Sequence, residues 1–163
     1  MLHEFDFSFL NEAATLVDSK LQLLELEAER DEDPDQFGIY DRTEYITGFG
    51  LVACQTYIAT CVARKRLSKG DAFDLGPRHP GGQSIANLVN ALANYWKHGS
   101  EWKVPLSPRA QRTVDTISTL QVDVRASYVM ANSLHALLRP AEPRIQQLIP
   151  LLKQWRSALQ YAA

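Results

Sequence analysis

The chain has 163 residues, 45% of them hydrophobic, 22% charged and 9% aromatic, which suits one domain with a sizeable core. Eight Gly and eight Pro are too few for a low-complexity chain, and this much apolar content excludes intrinsic disorder. The formal net charge is −2, yet residues 1–40 carry two basic side chains against eleven acidic ones, and residues 41–163 fifteen against eight.

Such an asymmetry can steer a charged partner or self-association, although ordinary solvated surfaces also show it. A pI near 6.1 speaks against a dedicated nucleic-acid binder. No run approaches the roughly 18 uninterrupted apolar residues of a membrane span, so no membrane partner is expected. The acidic start, Met1 to Asp6, lacks the basic region and apolar core of a signal peptide, and a cytoplasmic location is the expectation.

From Phe9 to about Arg30, apolar residues recur as Leu10, Ala13, Val17, Leu21, Leu24 and Ala28, one face of a helix that Asp6 or Ser8 would cap. It ends in an acidic loop near 30–38, whose like charges oppose the helix dipole. A second helix is predicted from Arg42 to Leu67. It is apolar on more than one face and therefore central to its bundle. Gly48 and Gly50 weaken it but permit close approach of a neighbour. Cys54 and Cys61 lie two turns apart there, too far to bond to each other, and read as buried free thiols. Neither gives a zinc signature. No metal or cofactor is expected.

Residues 68–82 form a Gly/Pro loop. Ser84 is placed to cap a third helix, Ile85 to His98, which Gly99 would terminate. Ser107 followed by Pro108 is a cap-plus-first-residue pair for a fourth helix reaching Leu120. A fifth is predicted from Asp123 to Leu138, and a last from Ile145 to Leu159 with a kink at Pro150. The fold class is all-α, a single-domain bundle of five to six helices.

The stretch from Asn87 to Trp102 is the most informative. Asn87, Asn90, Asn94, His98 and Glu101 follow at helical spacing and form one stripe if the helix reaches that far. A solvated stripe is normally Lys and Glu, because Asn competes for the backbone. This one is expected to meet something polar: a neighbouring helix, a partner subunit or a ligand. His98 can act as acid or base near neutral pH, with Asn94 one turn away to orient it and Lys97 beside it to hold negative charge. The simpler reading is a hydrogen-bonded seam between helices. Tyr95, Trp96 and Trp102 surround the same stretch and can stack on bases or line a small pocket; core and rim packing is the plainer role. Arg78 and His79, in the Gly-rich loop, are a further candidate binding pair or simply an exposed turn, since Gly76 to Gly82 matches no phosphate-cradle pattern. Arg125, Asn132, His135 and Arg139 give the fifth helix a second polar register, and His135 would face His98 if the two helices were neighbours.

The string Asn90-Ala91-Leu92-Ala93-Asn94-Tyr95-Trp96-Lys97-His98, on a central helix of an all-α domain, resembles the HEPN superfamily. Those small helical proteins include metal-independent RNases of toxin and defence systems, usually dimers with a composite active site. Their signature is an Arg, often followed by a polar residue, then four to six residues and a His on the same helix. His98 and the polar residues match in kind, but no Arg precedes His98 in that window, and Asn90 or Asn94 stands nearest to its place. The missing guanidinium is the group that would stabilise phosphate charge. The resemblance implies an RNase with RNA as its partner, His98 as acid or base, and Asn94 and Lys97 in support. Without a complete catalytic set, the residues alone point to a helical protein that acts through protein contacts, as a homodimer.

Overall fold

The second helix carries glycine where its neighbours come closest, and that sets the architecture. The computed structural model describes residues 3–162, and among them the chain forms seven α-helices. These are α1 (His3–Ala28), α2 (Ile39–Ala63), α3 (Lys69–Asp74), α4 (Ile85–His98), α5 (Pro108–Ser118), α6 (Val129–Leu138) and α7 (Leu148–Tyr161). The all-α bundle is as expected. The seventh helix is α3, inside the segment read as a loop, too short to show a hydrophobic period.

Helix α2 lies at the centre, against α1, α4, α6 and α7. It is long and apolar enough to cross a bilayer, but within the bundle Leu51, Cys54 and Ile58 are fully buried among α1, α4 and α7. A side chain at Gly48 would overlap the Trp96 indole of α4, and one at Gly50 would overlap Ile145. Both glycines thus serve the close approach predicted for them. Helices α1 and α2 run antiparallel, with Asp6 on Arg64 at one end and Glu27 on Arg42 at the other. Glu25 reaches Arg144, in the segment before α7. These three ion pairs tie the acidic first segment to the basic remainder, so a part of the charge asymmetry is satisfied within the chain.

Carboxylates from the early helices cap the later ones. Asp18 of α1 accepts from the backbone N–H groups of Ile145 (2.7 Å) and Gln146 (2.8 Å). Glu44 of α2 accepts from those of Met130 (2.7 Å) and Ala131 (2.9 Å) at the start of α6. Each satisfies donors that a helix start leaves open and sits at the positive end of its dipole. Trp155 of α7 is fully buried, and its Nε1 donates to the carbonyl of Ala72 at 2.9 Å. That bond and the Ser84 hydroxyl, which donates to the Phe73 carbonyl, hold the short α3 in place.

Several predicted ends move. Helix α1 is already formed at Asp6 and Ser8, so neither caps it. The fifth predicted helix starts at Val129, not Asp123: Gln121 and Tyr128 have positive φ (61° and 60°), which breaks a helix at both points. Arg125 and Val124 are therefore loop residues. Pro150 causes no kink, because a 3-10 turn over Ile145–Gln147 delays α7 to Leu148 and leaves the proline in the first turn. Its missing N–H is not needed there.

Two outcomes test this packing. Gly48→Ala forces the Trp96 indole away and should destabilise the fold by about 1–3 kcal/mol, read as a lower urea midpoint. Gly70→Ala meets nothing closer than the Ser68 hydroxyl at 3.9 Å and should leave the midpoint level or higher. Glu44 supplies a pH signature. Burial pushes its carboxyl above the ordinary 4.5, against the lowering effect of its two backbone bonds. The native state then holds that proton more tightly than the unfolded chain. The stability Glu44 contributes is full below pH 4.5 and is lost as pH rises through the raised value. Unfolding curves of wild type and Glu44→Gln should accordingly shift in favour of the variant as pH climbs from 4.5; a constant difference would refute the burial account.

Candidate functional site

Two polar helix faces meet in one cleft. On α4 the apolar positions Ile85, Leu88, Val89 and Leu92 turn into the core, which leaves Asn87, Asn90, Asn94 and His98 on another side. The Ser84 hydroxyl caps this helix by accepting from the Asn87 N–H at 3.1 Å, as predicted. Ser107 caps α5 in the same way, accepting from the Ala110 N–H at 3.2 Å with Pro108 at the first position. Burial of Ala110 and Ile117 then turns Arg109, Arg112 and Thr113 towards α4. The hollow between them has two connected parts. One of about 200 Å³ lies among Asn94, His98, Glu101, Trp102 and Arg109. The other, about 230 Å³, lies among Lys69, Asn87, Asn90, Asn94, Arg109 and Arg112.

A hydrogen-bonded wall lies behind the asparagines. Lys97 Nζ donates to Gln55 Oε1 at 2.7 Å. Gln55 Nε2 in turn donates to Asn90 Oδ1 at 3.0 Å and Asn94 Oδ1 at 2.9 Å. The direction is forced, because an ammonium can only donate and so fixes which end of the Gln55 amide faces it. Both asparagine carbonyls are then occupied, and their NH2 groups are left for the cleft that these residues line. The seam between helices foreseen for the stripe exists, made with α2. Gln55 had not been singled out.

The expected catalytic trio is only partly assembled. His98 Nδ1 lies 3.4 Å from Glu101 Oε2, so Glu101, not Asn94, is the residue beside the imidazole. Both side chains are exposed, and such a pair adds little stability. Helix α4 ends at His98, and Glu101 belongs to a 3-10 turn, Gly99–Glu101, that keeps it near. Lys97 is turned to Gln55 and lines neither part of the cleft.

The aromatics separate. Trp102 lines the cleft and meets Tyr95 edge-on, with ring centroids 5.6 Å apart. Tyr95 donates its hydroxyl to the Val124 carbonyl at 2.7 Å; burial, with Glu44 and Asp123 nearby, pushes its phenol up and keeps it a donor. Trp96 points the other way, onto Gly48, with Phe49 5.2 Å and Tyr45 6.2 Å from its ring. Tyr95 and Trp102 thus pack on one side of α4 and Trp96 on another, and the three do not gather around one hollow among the described residues.

Arg78 and His79 serve the turn they lie in. Arg78 bonds Asp74 and the Gly82 carbonyl, and His79 Nδ1 accepts from the Gly81 N–H at 3.1 Å. Its Nε2 faces the Ala136 carbonyl at 3.3 Å. His135 lines neither part of the cleft. Cys54 and Cys61 are free and buried; burial pushes the Cys54 thiol up to about 12, which keeps it from acting as a nucleophile.

Sequence reading missed Lys69, Arg109 and Arg112. Arg109, Arg112, Thr113 and Thr116 do stand at helical spacing, a signal that was available. In comparisons with protein-family models, curated proteins and solved structures, no match to this chain was found.

Proposed function

We propose that this protein acts through protein contacts, as a homodimer closed by the outer face of α1 and α2. The observation that carries the reading is a row of large apolar side chains in solvent. Phe9, Leu16 and Leu23 repeat every seventh residue along α1, with Leu16 73% exposed. Tyr45 and Phe49 continue the face on α2, at 62% and 55%. At the Phe9 end a groove runs between the two helices, lined by Phe9 and Ala13 with Ala53, Thr56 and Thr60. Contiguous exposed apolar surface of this kind marks a contact site.

A second copy of the chain suits the face. The α1 row spans roughly 21 Å at 1.5 Å per residue. A two-fold axis at Leu16 sets Phe9 of one copy against Leu23 of the other, the self-complementary arrangement of a closed dimer. The ion pairs of Asp6, Glu25 and Glu27 within the chain lessen the repulsion between two acidic helices. Sedimentation equilibrium should find a dimer for wild type and a monomer for Leu16→Glu, with equal helicity because Leu16 lies in solvent. A wild-type monomer at about 100 μM, weaker than ordinary specific dimers, would end the proposal.

One observation favours a second reading, the metal-independent RNase of HEPN type. Arg109 lines the same part of the cleft as His98, so α5 can supply the guanidinium that α4 lacks. In this reading His98 is the acid or base, Glu101 holds its imidazole and Arg109 stabilises phosphate charge; Lys97 has no part in it. Purified protein should then cleave RNA in EDTA and lose the activity as His98→Ala. Absent cleavage, or cleavage that persists in the variant, would remove this reading.

A further inference from the structure

We propose that the end of the cleft farther from His98 is a binding site for a phosphate group. Lys69 of α3 and Arg109 and Arg112 of α5 line a hollow of about 230 Å³ whose lining contains no carboxylate. Lys69 lies over the Phe73 ring, 5.3 Å from its centroid, which holds it beside the two arginines. Three like charges brought together from two helices repel one another until an anion joins them.

Among the described residues Arg42, Arg64, Arg78 and Arg144 each hold a carboxylate, whereas Arg30, Arg66, Arg125 and Arg139 do not, so what distinguishes Arg109 and Arg112 is the hollow they share. The Arg109 and Arg112 side chains have no hydrogen-bond or ion-pair partner among the described residues, although Asp115 lies on the same helix and bonds Gln111 instead. Their planar forks are left open on the cleft, the geometry with which guanidinium groups take phosphate oxygens.

The opposite wall supplies the rest. With Lys97 fixing Gln55, and Gln55 holding both asparagine carbonyls, Asn90 and Asn94 present NH2 donors to the same hollow. Cations on one side and amide donors on the other offer a ligand donors almost exclusively. A tetrahedral oxyanion, which accepts on all sides, uses such a wall fully. The site stands whether or not His98 cleaves anything, because neither His98 nor Glu101 lines this part of the cleft.

Calorimetry with inorganic pyrophosphate at low ionic strength tests the proposal, with a short single-stranded RNA in EDTA as a second arm. Saturable binding that weakens with salt is expected. Arg109→Gln and Arg112→Gln should each weaken it by about tenfold, the loss of one charge-assisted pair. Asn94→Asp keeps an acceptor for Gln55 but places a negative charge in the hollow, so it should fold normally and bind at least tenfold more weakly. Arg125→Gln, in the loop before α6, should bind as wild type does. Binding of pyrophosphate alone identifies a free phosphate ligand; binding of the RNA alone, with the same dependence on Arg109 and Arg112, identifies a phosphodiester. The site is overturned if neither probe saturates, if Asn94→Asp leaves affinity unchanged, or if Arg125→Gln weakens binding as much as Arg109→Gln does.

Discussion

The contact between Gly48 and Trp96 is the constraint from which the site follows. Without a side chain at Gly48, α4 settles against α2 closely enough for Gln55 to reach Asn90, Asn94 and Lys97. Gln55 is buried, and a buried amide left without partners costs about 1–3 kcal/mol. Its three bonds therefore stabilise the helix pair and orient the asparagines at once. The cleft on the other side of α4 inherits its donor character from that internal arrangement. A packing contact in the core thus determines which polar atoms the surface offers.

The same economy appears where helices begin. Asp18 and Glu44 each take two backbone N–H groups of a helix that lies much later in the chain. A carboxyl group there satisfies otherwise open donors, worth about 1 kcal/mol for a cap, although at Glu44 burial outweighs what the helix start returns for the charge. Both also fasten distant segments to the α1–α2 pair, as Glu25 does through Arg144. Asp18 and Glu25 account in this way for a part of the acidic bias of the first forty residues.

What the sequence made legible was local. Ser84 and the pair Ser107-Pro108 were read correctly because a cap acts on residues three positions away. The glycines of α2 were read correctly as well, since small residues on an apolar helix mean close approach. Errors arose where distant contacts override local pattern. Helix α3 is six residues held by Trp155 and Ser84, and no period in Lys69 to Asp74 announces it. Val124 fits the apolar spacing of α6 but faces the core from a loop, because Tyr128 takes a left-handed conformation and accepts a cost to do so. Half of the cleft, the α4 stripe, was visible in the spacing of its asparagines. The other half was equally periodic on α5, but only the packing of α5 on α4 makes two polar stripes one hollow.

The two proposed surfaces are on opposite sides of α4, and this bears on how they can coexist. Trp96 is the edge of the α1–α2 face through Phe49 and Tyr45, whereas Asn94, two residues earlier, faces Arg109 across the cleft. Successive helical residues advance by about 100°, so positions 94 and 96 project in nearly opposite directions. Lys97 lies between them, bonded to Gln55. A dimer closed on the α1–α2 face would accordingly leave both clefts open, one on each outer side. It would also press on Trp96, whose seat on Gly48 positions α4. Occupancy of the cleft and closure of the dimer then act on the same helix from its two sides, joined by one buried amide.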